Sequence, residues 1–169
     1  MTAILLAIDP GSVSGAYAVF FAKGPPVVDD IPVVDRQIDA AFLHRMVREL
    51  QPRAAVVENV SSMPKQGVVS TFRFGVAVGM IHGILACNTV PTHLVAPAVW
   101  KRSLGLIGKP KDAARAKAIQ MYPAVTGLTR KMDVGRADAL LMGHYWLTFR
   151  GNPVVKLWQP TDIEPDEVA

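Results

Sequence analysis

The sequence predicts an α/β domain built on a mixed five-stranded sheet flanked by helices. Two runs lead there first: Ile4 to Asp9 and Ala54 to Glu58 are apolar except for a terminal carboxylate, as expected of strands covered on both faces. The second observation is order. β-rich runs separated by turn residues open the chain, and helical periodicity then alternates with apolar runs, giving β-β-β-α-β-α-β-α-α.

The first strand, Ile4 to Asp9, passes through Pro10, Gly11, Ser12, Val13, Ser14 and Gly15 into a second, Ala16 to Phe21. Val27-Val28 and Ile31 to Val34 bracket Asp29 and Asp30 as a third strand, which Pro32 interrupts and so confines to an edge. Asp39 can cap a surface helix over Ala40 to Leu50, with Phe42, Leu43, Met46, Val47 and Leu50 at helical spacing and Pro52 as its stop. The fourth strand, Ala54 to Val57, ends in Glu58. A polar loop, Asn59 to Ser70, follows, and loops so placed often carry binding contacts.

Thr71 to Asn88 reads as a helix with Gly75, Gly79 and Gly83 every fourth residue. Glycine costs roughly 1 kcal/mol relative to alanine in a helix interior, so the stripe needs a packing reason: the sheet of this chain or a second copy of it. Pro91 to Val95 is the fifth strand. Pro97 opens a helix through Trp100, a core anchor, Lys101 and Leu104. Lys111 to Tyr122 is the next helix, stopped by Pro123, and Asp133 stands where it can cap the last, Val134 to Phe149. Residues 1–150 thus form one domain and 151–169 an extension, acidic and flexible at its end.

At 169 residues, with 50% hydrophobic and 19% charged, the chain is ordinary globular material. Apolar stretches are broken by Gly, Pro or charge before ~18 residues, and the N-terminus lacks a basic segment with a cleavage site, so we expect a cytoplasmic protein with no membrane partner. The single cysteine, Cys87, excludes an intrachain disulfide and reads as a buried small hydrophobe. The net charge of +4 is held down by Asp162, Glu164, Asp166 and Glu167 in the last eight residues; without them 18 bases face 10 acids. Nine bases against two acids lie between Lys101 and Arg136, a local +7, the footprint of a polyanion partner.

A carboxylate at the end of a buried strand needs something positive or a hydrogen-bond donor. Asp9 can cap its turn through the backbone of Gly11 or Ser12, or it can bind a metal. Glu58 repeats the pattern, and Asp138 sits one turn into the last helix.

The motifs Ala7-Ile8-Asp9-Pro10-Gly11, Val57-Glu58-Asn59-Val60 with Ser62-Met63-Pro64-Lys65-Gln66-Gly67, Pro97-Ala98-Val99-Trp100-Lys101, Lys111-Asp112-Ala113-Ala114-Arg115 and Asp133-Val134-Gly135-Arg136-Ala137-Asp138-Ala139-Leu140-Leu141 resemble the RuvC-type Holliday-junction resolvases, in the form found in bacteriophages. The resemblance spans Ile4 to Tyr145. It implies a ribonuclease H-like sheet and a magnesium- or manganese-dependent endonuclease that acts on four-way DNA junctions as a homodimer, in recombination and repair. Asp9, Glu58 and Asp138 fall on the family's metal-site positions. The familiar bacterial pattern has another Asp or His three residues before the last aspartate, where this chain has Gly135. Asp133 is left as either a fourth ligand or a helix cap; five residues of helix rotate about 140°, so it serves only from at or before the N-cap. Two cations about 3.5–4 Å apart would activate a water and stabilise both the phosphorus oxygens and the leaving group, with Asp9 bridging. Ser62, Lys65, Gln66, Lys101, Lys109, Lys111, Arg115, Lys117 and Arg136 are the candidate DNA contacts, and Gly75, Gly79 and Gly83 the candidate dimer interface.

Two rival functions share the same residues. The Asp9-Pro10-Gly11 turn also resembles the phosphate-binding turn of actin-like ATPases, but those need two such domains and no repeat is present, so no nucleotide cofactor is expected. Gly135 leaves room for a non-catalytic junction-binding module on the same fold.

Overall fold

The computed structural model describes residues 3–11, 14–59 and 67–150. The expected Ser62, Lys65 and Gln66 contacts and the 151–169 extension lie outside them. Five strands form the main sheet: β1 (Ala3–Asp9), β2 (Ala16–Phe21), β3 (Val27–Asp30), β6 (Ala55–Glu58) and β7 (Thr92–Val95), in the order β3-β2-β1-β6-β7. The first three are an antiparallel meander, and β6 and β7 run parallel to β1. A separate two-stranded ladder pairs β4 (Val33–Val34) with β5 (Gln37–Ile38).

That ladder corrects the expected third strand, which ends at Asp30 rather than running on to Val34. Pro32 brings no N–H to a ladder, and Asp35 and Arg36 take positive φ of 50° and 61°, so the chain turns back on itself and leaves Val33 and Val34 exposed.

Strand alternation sorts side chains between two helical layers. Leu6, Ile8, Ala55 and Val57 face α1 (Ala40–Leu50) and α2 (Val68–Cys87), packing with Leu43, Val47, Ile81 and Leu85. Leu5, Ala7 and Val56 face the other layer, α3 (Pro97–Ser103), α4 (Asp112–Met121) and α5 (Val134–Phe149), with Trp100, Leu140 and Leu141. Asp9 continues the Leu5, Ala7 series and Glu58 follows Val56. Both carboxylates therefore fall on the α5 side of the sheet, at the ends of neighbouring parallel strands whose last matched pair is Ile8 with Val57.

Helix ends obey their local chemistry where the cap residue is free to act. Asp39 accepts from the Phe42 N–H at 2.9 Å, and Gln51 closes α1 in the left-handed region before Pro52. α5 lies hard against the sheet: a Cβ on Gly143 would overlap the Phe20 ring and come 3.0 Å from Ala7 Cβ.

α2 departs from expectation twice. It is 20 residues long and apolar enough by length and composition to cross a membrane, even with glycines and Arg73 within it. Its inner positions Ala77, Ile81 and Leu85 are nonetheless buried in the core beside α1, so lipid could not surround it without opening the protein. Among the described residues nothing covers its outer face. Val68, Val69 and Phe72 are exposed, as is Cys87, which was expected inside. Gly75, Gly79 and Gly83 have open space beside them, so they do not pack on this chain's own sheet.

The two kinds of helical glycine should respond oppositely to substitution. Gly143→Ala is expected to destabilise the fold by about 1–3 kcal/mol through overpacking, whereas Gly79→Ala should leave stability equal or raise it by up to about 1 kcal/mol. Urea denaturation of both variants checks this; a neutral Gly143→Ala would contradict the close approach of α5.

Candidate active site

Three elements deliver three carboxylates to one place. Asp9 ends β1, Glu58 ends β6, and Asp138 lies one turn into α5. The turn after Asp9 is tight: a Cβ on Gly11 would overlap the Ser14 carbonyl, so only glycine fits. On the far side, a Cβ on Gly135 would stand 3.3 Å from Asp9 Oδ2, which places the first turn of α5 directly against that carboxylate.

Burial and mutual repulsion set the electrostatics. Asp9 is held well above the ordinary carboxylate range, first by burial and then by the negative charges of Glu58 and Asp138, and it lies within hydrogen-bond reach of Glu58. Burial also raises Glu58, against the lowering effect of a hydrogen bond from Trp100 Nε1 to Glu58 Oε1 at 2.9 Å. Asp138 is raised by burial in spite of Lys101, whose Nζ lies 3.1 Å from Asp138 Oδ2. The other oxygen, Asp138 Oδ1, is buried with no hydrogen-bond partner among the described residues.

Such an arrangement fits a cation. A buried, unpartnered carboxylate oxygen beside two further carboxylates lacks positive charge, and hard oxygen donors match magnesium or manganese. Among the described residues no group of three or more His, Cys, Asp or Glu side chains stands close enough together to hold a metal ion as it is. Here the Lys101 ammonium takes up part of the negative charge instead.

Asp133 stands apart. It occupies the N-cap position of α5, yet its side chain makes no capping bond. Its Oδ2 accepts from the Arg130 backbone N–H at 2.7 Å and its Oδ1 from Arg130 Nε at 2.8 Å, with Arg136 Nε 3.9 Å away. Burial pushes this carboxyl up, but the Arg130 bonds and the charges of Arg130 and Arg136 outweigh it and leave Asp133 below the ordinary range. The expected capping bond is not made; through Arg130 the side chain instead anchors the loop before α5.

The basic residues divide in two. Lys101, Lys109 and Lys111 line a cavity of about 480 Å³ with Leu106, Val134 and Asp138, so of the three carboxylates they share it with Asp138. Arg136 is spent internally on Asp29, Asp30 and the Gly127 carbonyl, tying α5 to the end of β3. Arg115 likewise holds Asp112 and the Leu128 carbonyl. Lys117 sits where its charge acts on His144, whose Nδ1 is 2.7 Å from the Tyr122 hydroxyl, and does not line the cavity. The residue that sequence reasoning missed is Trp100: fully buried, it was legible as core, and nothing in its spacing signals that its N–H meets Glu58.

Compared with known proteins, the chain matches no sequence-family model and no curated protein sequence. Solved structures do match it. RuvC of Thermus thermophilus has a TM-score of 0.64 at 14% identity, covering 85% of this chain and 95% of that one. T. thermophilus RuvC in complex with Holliday junction substrate gives 0.64 at 16% identity, over 87% and 96%. The yeast mitochondrial Holliday junction resolvase Ydc2 gives 0.54 at 10% identity, over 86% and 79%. The likeness establishes the fold, the mixed five-stranded sheet flanked by helices that the order of elements led us to expect.

The carboxylate cluster has a consequence for stability. A carboxyl raised on folding costs stability above its folded pKa, and the cost fades as pH falls through that value toward the unfolded one. Asp9→Asn should therefore raise Tm at neutral pH in the absence of divalent ions, by roughly 2–4 °C for about 1 kcal/mol of relief. Asp133 has the opposite sign, its contribution being present above the unfolded value near 3.9 and lost as pH falls through the lowered folded one. Asp133→Asn should lower Tm at pH 7 and flatten its decline in acid. Thermal melts of both variants across pH check this, and a destabilised Asp9→Asn would contradict the repulsion account.

Proposed function

We propose that this chain is a RuvC-type resolvase: a divalent-cation-dependent endonuclease that cuts four-way DNA junctions by paired phosphodiester hydrolysis as a two-fold dimer. The observation that carries the reading is the convergence of Asp9, Glu58 and Asp138 beside a cavity lined by Lys101, Lys109 and Lys111. The fold shared with RuvC, solved on a Holliday junction substrate, supports it.

Asp9, Glu58 and Asp138 would hold the cations, with the unpartnered Asp138 Oδ1 as a ready acceptor. When bound, magnesium or manganese supplies charge stabilisation at the phosphorus oxygens and lowers the pKa of an attacking water. The protein's own part is placement. Lysines at the cavity wall would bind backbone phosphates and bring the scissile one to the carboxylates, while Leu106, Ala114 and Val134 make the wall's apolar side. Burial of the carboxylates keeps their field unscreened by solvent.

Cutting two equivalent strands of a junction calls for two sites related by a two-fold axis. The uncovered apolar face of α2, with exposed Val68, Val69 and Phe72 and the open glycine stripe, suits a second copy, because small residues let two backbones approach closely.

The test is a synthetic four-way junction incubated with and without magnesium. Paired symmetric nicks are expected only with the cation, lost in Asp9→Asn, Glu58→Gln and Asp138→Asn while junction binding persists. Lys101→Ala, Lys109→Ala and Lys111→Ala should weaken binding and each reduce the log-log salt slope by about 0.9 where a duplex phosphate contact is lost. Binding without any metal-dependent cleavage would point to the non-catalytic junction-binding module instead. Sedimentation should show a dimer that Gly79→Leu converts to monomers and single nicks; a wild-type monomer on and off DNA would remove the symmetry argument.

A further inference from the structure

Trp100 has no part in the reaction as proposed, yet it touches the site. Its indole is fully buried, and its Nε1 donates to Glu58 Oε1 at 2.9 Å. An indole N–H is a donor only, so the contact constrains Glu58 in one sense: it must offer an oxygen to Trp100. With Oε1 engaged there, Oε2 remains as Glu58's other acceptor. The next residue acts on a second carboxylate, because Lys101 Nζ lies 3.1 Å from Asp138 Oδ2 while sitting 4.9 Å over the Trp100 ring. One dipeptide on α3 thus reaches two of the three carboxylates, and the rigid, core-packed indole is the part that cannot swing away.

We propose that Trp100 is a positioning residue for the cation site: its N–H fixes the orientation of Glu58, and its indole stands next to any cation that Glu58 holds. The inference rests on the metal-site reading above. A core tryptophan needs some partner for its N–H, and a backbone carbonyl would serve packing equally well. Here the partner is the terminal glutamate of β6, in the relation that groups behind a metal ligand usually hold, where their loss costs 10–100-fold in metal affinity.

The test separates positioning from packing. Trp100→Phe keeps most of the ring volume and deletes the N–H. Manganese affinity, measured by isothermal titration on protein without DNA, should fall about 10-fold or more while the circular dichroism spectrum is retained. Independently, a protein keeping Trp100 as its sole tryptophan, through Trp146→Phe and Trp158→Phe, should show indole emission quenched by manganese at the titrated affinity and restored by excess magnesium. Unchanged affinity in folded Trp100→Phe, or manganese binding with no quenching of Trp100, would overturn the inference alone. A parent protein that binds no manganese would overturn the metal-site reading and the inference with it.

Discussion

Three carboxylates buried within reach of one another repel, and each also loses hydration, so they stay together only if the surrounding fold holds them there and something positive answers them. Much of the structure can be understood as meeting that demand. Parallel pairing of β1 with β6 brings Asp9 and Glu58 out at the same end of the sheet, and strand alternation turns both toward α5. α5 brings Asp138, and its close seating on the sheet at Gly143 leaves little freedom for that carboxylate to retreat. Lys101 supplies one ammonium, and Trp100 supplies one neutral donor.

Around this centre a second, self-contained ionic system fixes the start of α5. Arg130 and Arg136 join Asp133, Asp29 and Asp30, which connects the loop before α5 to the end of β3. Those charges are paired among themselves rather than with the carboxylate cluster. Gly135 lies between the two systems, against Asp9, so the register of α5's first turn sets both.

What could be read from the sequence followed from short-range rules. The strands ending in Asp9 and Glu58 were visible because a carboxylate interrupts an otherwise apolar run, and α1 was bounded correctly by Asp39 and Pro52. Less was legible where the outcome depends on which of several possible partners a side chain takes. Arg115 and Arg136 look like a DNA face in a local charge count; in the structure Arg136 pairs with Asp29 and Asp30 at the end of β3, and Arg115 with Asp112 one turn back in α4. Asp133 fits a helix cap by position, yet a competing arginine three residues back wins its side chain. Trp100 reads as core from composition alone, since only the tertiary fold brings its N–H to the carboxylate that ends β6. Gly75, Gly79 and Gly83 announced a smooth helix face without saying whether the sheet or another molecule would use it.

The central claim is that Asp9, Glu58 and Asp138 form one cation site. The most direct measurement is anomalous diffraction at the manganese edge from crystals of the protein soaked in manganese. Anomalous density in contact with oxygens of all three side chains, with Lys101 displaced from Asp138, is the predicted result. Density confined to the surface, with the Lys101 to Asp138 ion pair intact at saturating manganese, would contradict it.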